Sequence, residues 1–102
     1  MHHHRAPQSE RRDKAYLVML ADLKEKGVSN FNELFERVWP TLKEVYEASG
    51  EEMMRLRTYE HLQNLASRGD VDKVGKTYSI SAAGERKLLE AAAAEEKEAG
   101  DE

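Results

Sequence analysis

The stretch Arg57–Gly84, RTYEHLQNLASRGDVDKVGKTYSISAAG, limits what this chain can fold into more than any other part of it. It opens as a helix and halts at Gly69. Two short runs follow, Val71–Val74 and Thr77–Ile80, separated by Gly75-Lys76. Thr, Tyr, Val and Ile favour strands and Gly75 supplies a tight turn, so the pair reads as a β-hairpin. Ser81 then caps a further helix, with Glu85 in its first turn. A lone two-stranded hairpin is barely stable in water, so this segment needs a helical body to lean on.

The preceding residues supply that body. A first helix is expected from Ser9, with Glu10 and Asp13 at its positive end and Gly27 as its stop. Its run Tyr16-Leu-Val-Met-Leu-Ala21, followed by Leu23, is apolar over more than one face, which predicts burial on several sides or against a partner. Ser29 or Asn30 caps a second helix. Phe31, Leu34, Phe35, Val38 and Trp39 form one face at the spacing i, i+3, i+4, i+7, i+8. Pro40 is expected to break or kink it, with a short helical segment near 40–48 closed by Ser49-Gly50. The third helix runs from about Glu51 to Arg68, with Tyr59, Leu62, Leu65 and Ala66 buried. The expected class is mainly α with a small β-hairpin, in the order helix, helix, helix, strand, strand, helix. Residues 1–8 are expected to be a disordered arm, 9–94 the domain and 95–102 a disordered acidic tail.

Composition narrows the function. The chain has 102 residues, enough for one small domain. No apolar run approaches the roughly 20 residues that span a bilayer, and a cytoplasmic protein is expected. There are no cysteines, which removes thiolate chemistry. Net charge is −4, yet residues 51–79 are balanced, with five basic and five acidic side chains. Residues 80–102 hold three basic and seven acidic, which accounts for the whole excess. The run His2-His3-His4 is expected to be a solvated tail rather than a metal site or anything more than a tag remnant. No His-x-x-x-His pair and no glycine-rich phosphate loop occur, so no enzyme, metal or cofactor is expected. Phe31, Phe35, Trp39 and Tyr46 are read as core rather than as a ligand pocket.

The third helix carries the sharpest chemical signal. Arg57, Glu60, His61, Asn64 and Arg68 follow i, i+3, i+4, i+7, i+11 and form one polar face. Arginine pairs with guanine and asparagine with adenine through two hydrogen bonds each. Lys73 and Lys76 flank the hairpin tip, where they suit contacts to a phosphate backbone.

On these residues, Arg57–Leu88 resembles the winged helix-turn-helix domains of bacterial and archaeal regulators, and is most similar to the PadR-like and MarR-like families. RTYEHLQNLASRGDV matches a recognition helix ending in Arg-Gly before a wing, and KTYSISAAGERKL a second wing strand leading into a Ser-x-x-Gly helix start. The resemblance implies a homodimer, built by the first and last helices, on double-stranded DNA. It places Arg57, Thr58, His61 and Asn64 towards the major groove, with Lys73 and Lys76 on the wing and Arg68 on the same face. The chain departs from the families in its Pro40–Gly50 segment, its short wing and its lack of basic excess. The expected function is a nucleoid-associated transcriptional regulator or architectural DNA-binding protein. The alternative is a winged helix that binds a protein partner through residues 39–50 within a larger complex.

Overall fold

In the computed structural model of the chain the described residues are 8–47 and 50–100. The elements are α1 (Gln8–Lys26), β1 (Ser29–Asn30), α2 (Phe31–Tyr46), α3 (Glu51–Arg68), β2 (Val71–Val74), β3 (Thr77–Ile80) and α4 (Ala82–Gly100). The architecture is mainly helical with a small three-stranded antiparallel sheet of order β1-β3-β2. No helix among the described residues is long and apolar enough to cross a membrane. The expected arm, residues 1–7, lies outside the described residues, and residue 8 already belongs to α1.

The over-apolar α1 is buried on several sides by its own domain. Ala15, Tyr16, Met19, Leu20 and Leu23 sit in the core. Leu17 and Val18 line a shallow groove with Leu88, Ala91 and Ala92 of α4.

At the start of α2 the Asn30 side chain accepts from the Glu33 N–H at 2.8 Å, and Glu33 accepts from the Asn30 N–H at 2.9 Å. This reciprocal capping box fixes where the helix begins. Leu34, Phe35, Val38, Leu42 and Tyr46 are buried. The break expected at Pro40 is absent, because α2 continues through it to Tyr46. Proline inside a helix costs about 3 kcal/mol. Burying Leu42 and Tyr46 on the far side is worth roughly 1.5–3 kcal/mol for each large side chain, which offsets it. Pro40 itself lies on the solvent face. Glu47 ends the helix in a left-handed conformation, φ 54°. The separate segment expected near 40–48 is therefore the end of α2, and only residues 47–50 connect it to α3. The expected stop at Ser49 falls outside the described residues.

The hairpin forms in the expected place, with Val71 opposite Ile80 and Val74 opposite Thr77 across the Gly75-Lys76 turn. A third strand joins it: Ser29 pairs with Tyr78 and Asn30 with Thr77. Val71 and Tyr78 are buried and Ile80 is half-buried.

Gly69 halts α3 at φ +85°, a conformation that costs glycine little and other residues much. Its N–H reaches the Ala66 carbonyl at 3.1 Å, while the Asp70 N–H reaches that of Leu65 at 3.0 Å. Asp70 then ties the hairpin to α4. Its carbonyl accepts from the Ser81 N–H at 3.0 Å, and its buried carboxylate accepts from Lys87 Nζ at 2.6 Å. Ser81 Oγ donates to the Gly69 carbonyl at 2.6 Å and accepts from the Gly84 N–H at 3.1 Å, capping α4 as expected. α4 extends to Gly100, into the segment expected as an acidic tail, and residues 101–102 lie outside the described residues.

Gly84 packs closely against Asp70 and Ile80. A Cβ there would stand 2.3 Å from the Asp70 carbonyl oxygen and 2.9 Å from Ile80 Cγ1. Gly84→Ala should destabilise the fold by about 1–3 kcal/mol, typical of overpacking, despite alanine's better helix propensity. Urea unfolding measures it, and a neutral or stabilising result would contradict this packing.

Candidate nucleic-acid interface

The rotation of α3 about its axis decides which residues are available for binding. The buried strip is Met54, Thr58, His61, Leu62 and Leu65, spaced i, i+4, i+7, i+8, i+11. Tyr59, expected inside, is 45% exposed. Thr58 and His61, expected to face DNA, are core residues instead. The fully buried Thr58 hydroxyl donates to the Met54 carbonyl at 2.6 Å, so its hydrogen-bonding is spent within its own helix.

His61 is enclosed by two tyrosines. Its ring meets Tyr16 edge-on at 5.1 Å between centroids and stacks on Tyr46 at 5.8 Å. Nε2 shares a hydrogen bond with the Tyr46 hydroxyl at 2.6 Å, and Nδ1 has no partner among the described residues. Burial, reinforced by the charges of Arg57 and Arg12, lowers the imidazole pKa from 6.5 to about 4. A neutral, enclosed imidazole of this kind reaches neither phosphate nor base. Burial also raises the Tyr46 phenol, against the opposing pull of Arg57, so its proton is retained.

The other expected residues flank the outward ridge of α3. On the α1 side, the Arg57 guanidinium lies 4.5 Å from the Tyr46 ring centroid and that of Arg68 lies 5.2 Å from Tyr16. Arg12 stands 6.0 Å from the same Tyr16 ring. The exposed Asn64 donates from Nδ2 to the Tyr16 hydroxyl at 3.3 Å. The tyrosines thus serve as platforms that hold the cations at the surface. On the hairpin side, Lys73 lies 5.7 Å from the Tyr78 ring centroid, and Lys76 is exposed in the turn. Gln63 Nε2 donates to the Tyr78 hydroxyl at 3.0 Å, which ties α3 to the hairpin. Among the described residues, Arg57, Arg68, Lys73 and Lys76 have no carboxylate within 4.0 Å.

Between these flanks the ridge presents Met53, Leu56, Glu60 and Ser67, all exposed. Met53, Leu56 and the half-buried Gln63 are residues of this surface that the polar-face reading missed. Leu62 and Leu65 extended back through Thr58 and Met54 give the observed rotation, but taken with Tyr59 and Ala66 at the same helical spacing they give the other. The expected partner segment 39–50 is less open than its composition implied. Trp39 stacks on Phe35 at 6.0 Å, and Leu42 and Tyr46 are buried. Phe31, Phe35 and Trp39 form a row along α2, whereas Tyr46 turns to His61. Compared with known proteins, the chain matches no family model, no curated protein and no solved structure.

The buried imidazole carries a pH dependence whose sign follows from linkage. Its folded pKa of about 4 lies below the ordinary 6.5 of the unfolded chain. Between those values the unfolded chain takes up a proton that the folded one refuses. Stability from this site is therefore full above pH 6.5 and declines as pH falls towards 4, by up to about 3 kcal/mol. Urea unfolding across that window should show a shallower slope for His61→Gln than for the wild type. Equal slopes would remove His61 as the source.

Proposed function

We propose that the protein is a winged helix-turn-helix that binds double-stranded DNA, with α3 as its reading helix and the β2–β3 hairpin as its wing. The observation that carries this reading is the pair of unpaired cationic flanks on either side of α3: Arg57 and Arg68 towards α1, Lys73 and Lys76 on the hairpin. A helix entering a major groove about 12 Å wide needs cations on both sides to meet the two phosphate backbones. The element order, the small sheet beside the hairpin and the four-residue link from α2 to α3 support the same reading.

The chemistry of the ridge fits base edges. Glu60 can accept from cytosine, Gln63 and Asn64 can pair with adenine, and Leu56 or Met53 can meet a thymine methyl. Arg57, Arg68, Lys73 and Lys76 set register and affinity. Thr58 and His61 support the helix from beneath.

The reading extends to a homodimeric transcriptional regulator at the nucleoid. The groove between Leu17, Val18 and Leu88, on a helix whose Leu89 is 64% exposed, offers a surface for a second copy's α1 and α4. A two-fold dimer of this kind would set its reading helices about 34 Å apart, one turn of duplex.

Lys73→Glu/Lys76→Glu should weaken duplex binding on every sequence alike and lower the salt slope by about 2, one per lysine. Asn64→Ala should instead relax preference at one base pair, by about 1–3 kcal/mol. Fluorescence anisotropy with a randomised duplex pool and a selected site measures both. Absence of micromolar duplex binding at low salt would sink the proposal.

A further inference from the structure

The amino-terminal half of α3, together with the start of α2, also suits a protein. Phe31 of α2 and Met53, Leu56 and Tyr59 of α3 line an open cleft of about 560 Å³. Met53 is 58% exposed and Leu56 61%, a large apolar surface left in contact with water. Phe31 packs face to face on Phe35 and edge-on to Tyr59, so the floor of the cleft belongs to the rigid core.

The rim is acidic. Glu52 lines the cleft, and Glu36 and Glu51 lie 3.8 and 3.6 Å from Arg55 at its edge. That single arginine is already engaged, donating to Asn32 Oδ1 at 3.1 Å and covering the Phe35 ring at 4.5 Å. Three carboxylates against one committed guanidinium leave the rim negative. A neighbouring cleft of about 450 Å³ shares Phe31 and Tyr59 and closes at Lys73 and Lys76, so the negative character is confined to the α3 amino-terminal side.

We propose that this cleft docks a short segment of a partner protein that places an apolar anchor on Leu56 and Met53 and flanking lysine or arginine against Glu36, Glu51 and Glu52. Charge selects this occupant over a second copy of the chain. A two-fold contact through the cleft would set these carboxylates against their own counterparts, and like-charge juxtaposition costs several kcal/mol at an interface. The inference does not depend on DNA binding. Leu56 and Tyr59 border the ridge of α3, so a docked segment would also cover part of the surface proposed to enter the groove.

Short helical peptides with one apolar face and either lysine or glutamate flanks, titrated into the full chain carrying 13C-methyl methionine and leucine, test this. At physiological salt the lysine-flanked peptide should shift the Met53 and Leu56 methyls with micromolar affinity, and the glutamate-flanked one should bind about tenfold more weakly or worse. Glu51→Lys/Glu52→Lys should reverse that preference. Leu56→Glu, at an exposed position that spares the core, should abolish binding. Equal binding of the two peptides, no binding of either, or shifts confined to α1 and α4 would overturn the proposal. So would concentration-dependent shifts of the same methyls without peptide, lost in Leu56→Glu, which would assign the cleft to a second copy. Peptide binding that survives in Lys73→Glu/Lys76→Glu, whose lysines lie outside the cleft, would separate this proposal from the DNA reading, which that variant tests.

Discussion

The enclosure of His61 between Tyr16 and Tyr46 is the contact on which the rest of the surface depends. It joins α1, α2 and α3 at one point, through an edge-on ring contact, a stack and a 2.6 Å hydrogen bond. A helix turns 100° per residue, so fixing one side chain inside fixes every other side chain of α3. With His61 and Thr58 inward, Arg57 and Arg68 come to rest on the two tyrosine rings, and Leu56 and Tyr59 must face out. The aromatic pair thus has two roles, closing the core beneath α3 and presenting cations above it. Truncating Tyr46 would leave the buried imidazole without its hydrogen-bond partner and free Arg57, whereas truncating Tyr16 would remove the edge-on ring contact and free Arg68.

The second anchor lies at the other end of α3. Asp70 is buried, and its backbone and carboxylate hold Ser81 and Lys87. Together with the glycine contact at Gly84, this fastens the base of the hairpin to α3 and α4 at once. The tip is held only by the pairing of β1 with Thr77 and the Thr77 hydroxyl bond to the Val74 carbonyl, and Val74 is 75% exposed there. A hairpin held firmly at its base and open at its tip can offer Lys73 and Lys76 to a partner without disturbing the core.

What the sequence reveals follows from how local each signal is. The α2 cap, the Gly69 stop and the Gly75 turn each involve a few neighbouring residues, and all three are legible. β1 is not, because two residues carry no alternation and pair through backbone alone. Pro40 misleads because its local penalty is visible while the burial of Leu42 and Tyr46 beyond it is tertiary. The rotation of α3 misleads for a related reason. Its apolar residues surround the helix, with Met53, Met54, Leu56, Tyr59, Leu62 and Leu65 pointing several ways. Periodicity alone then offers two solutions, and only the tyrosines of two other helices choose between them. A polar residue such as His61 enters the core when distant partners satisfy it, which no spacing within α3 can announce. The candidate site is legible to the same extent: Arg57, Asn64, Arg68, Lys73 and Lys76 stand at the surface, while Thr58 and His61 do not.

The net charge of −4 weighs differently once the acids are placed on the fold. The excess belongs to residues 80–102, almost all of it on α4, which packs along α1 and meets the hairpin at its base, where Gly84 approaches Asp70 and Ile80. Exposed charges are largely screened beyond about 8 Å at physiological salt, so acids count against Lys73 and Lys76 only where they stand close to them. The acids of α3 itself matter more. Glu60 stands on the ridge, and Glu51 and Glu52 gather at the amino-terminal end, where the helix dipole favours them. For a duplex lying on α3 these carboxylates must point along the groove floor or beyond the phosphate rows, because beside a phosphate each would cancel one of the few cations available. For a duplex bound as proposed, that requirement favours contacts by the carboxy-terminal half of α3 and the hairpin, and the proposed partner of opposite charge would compete for the apolar amino-terminal half.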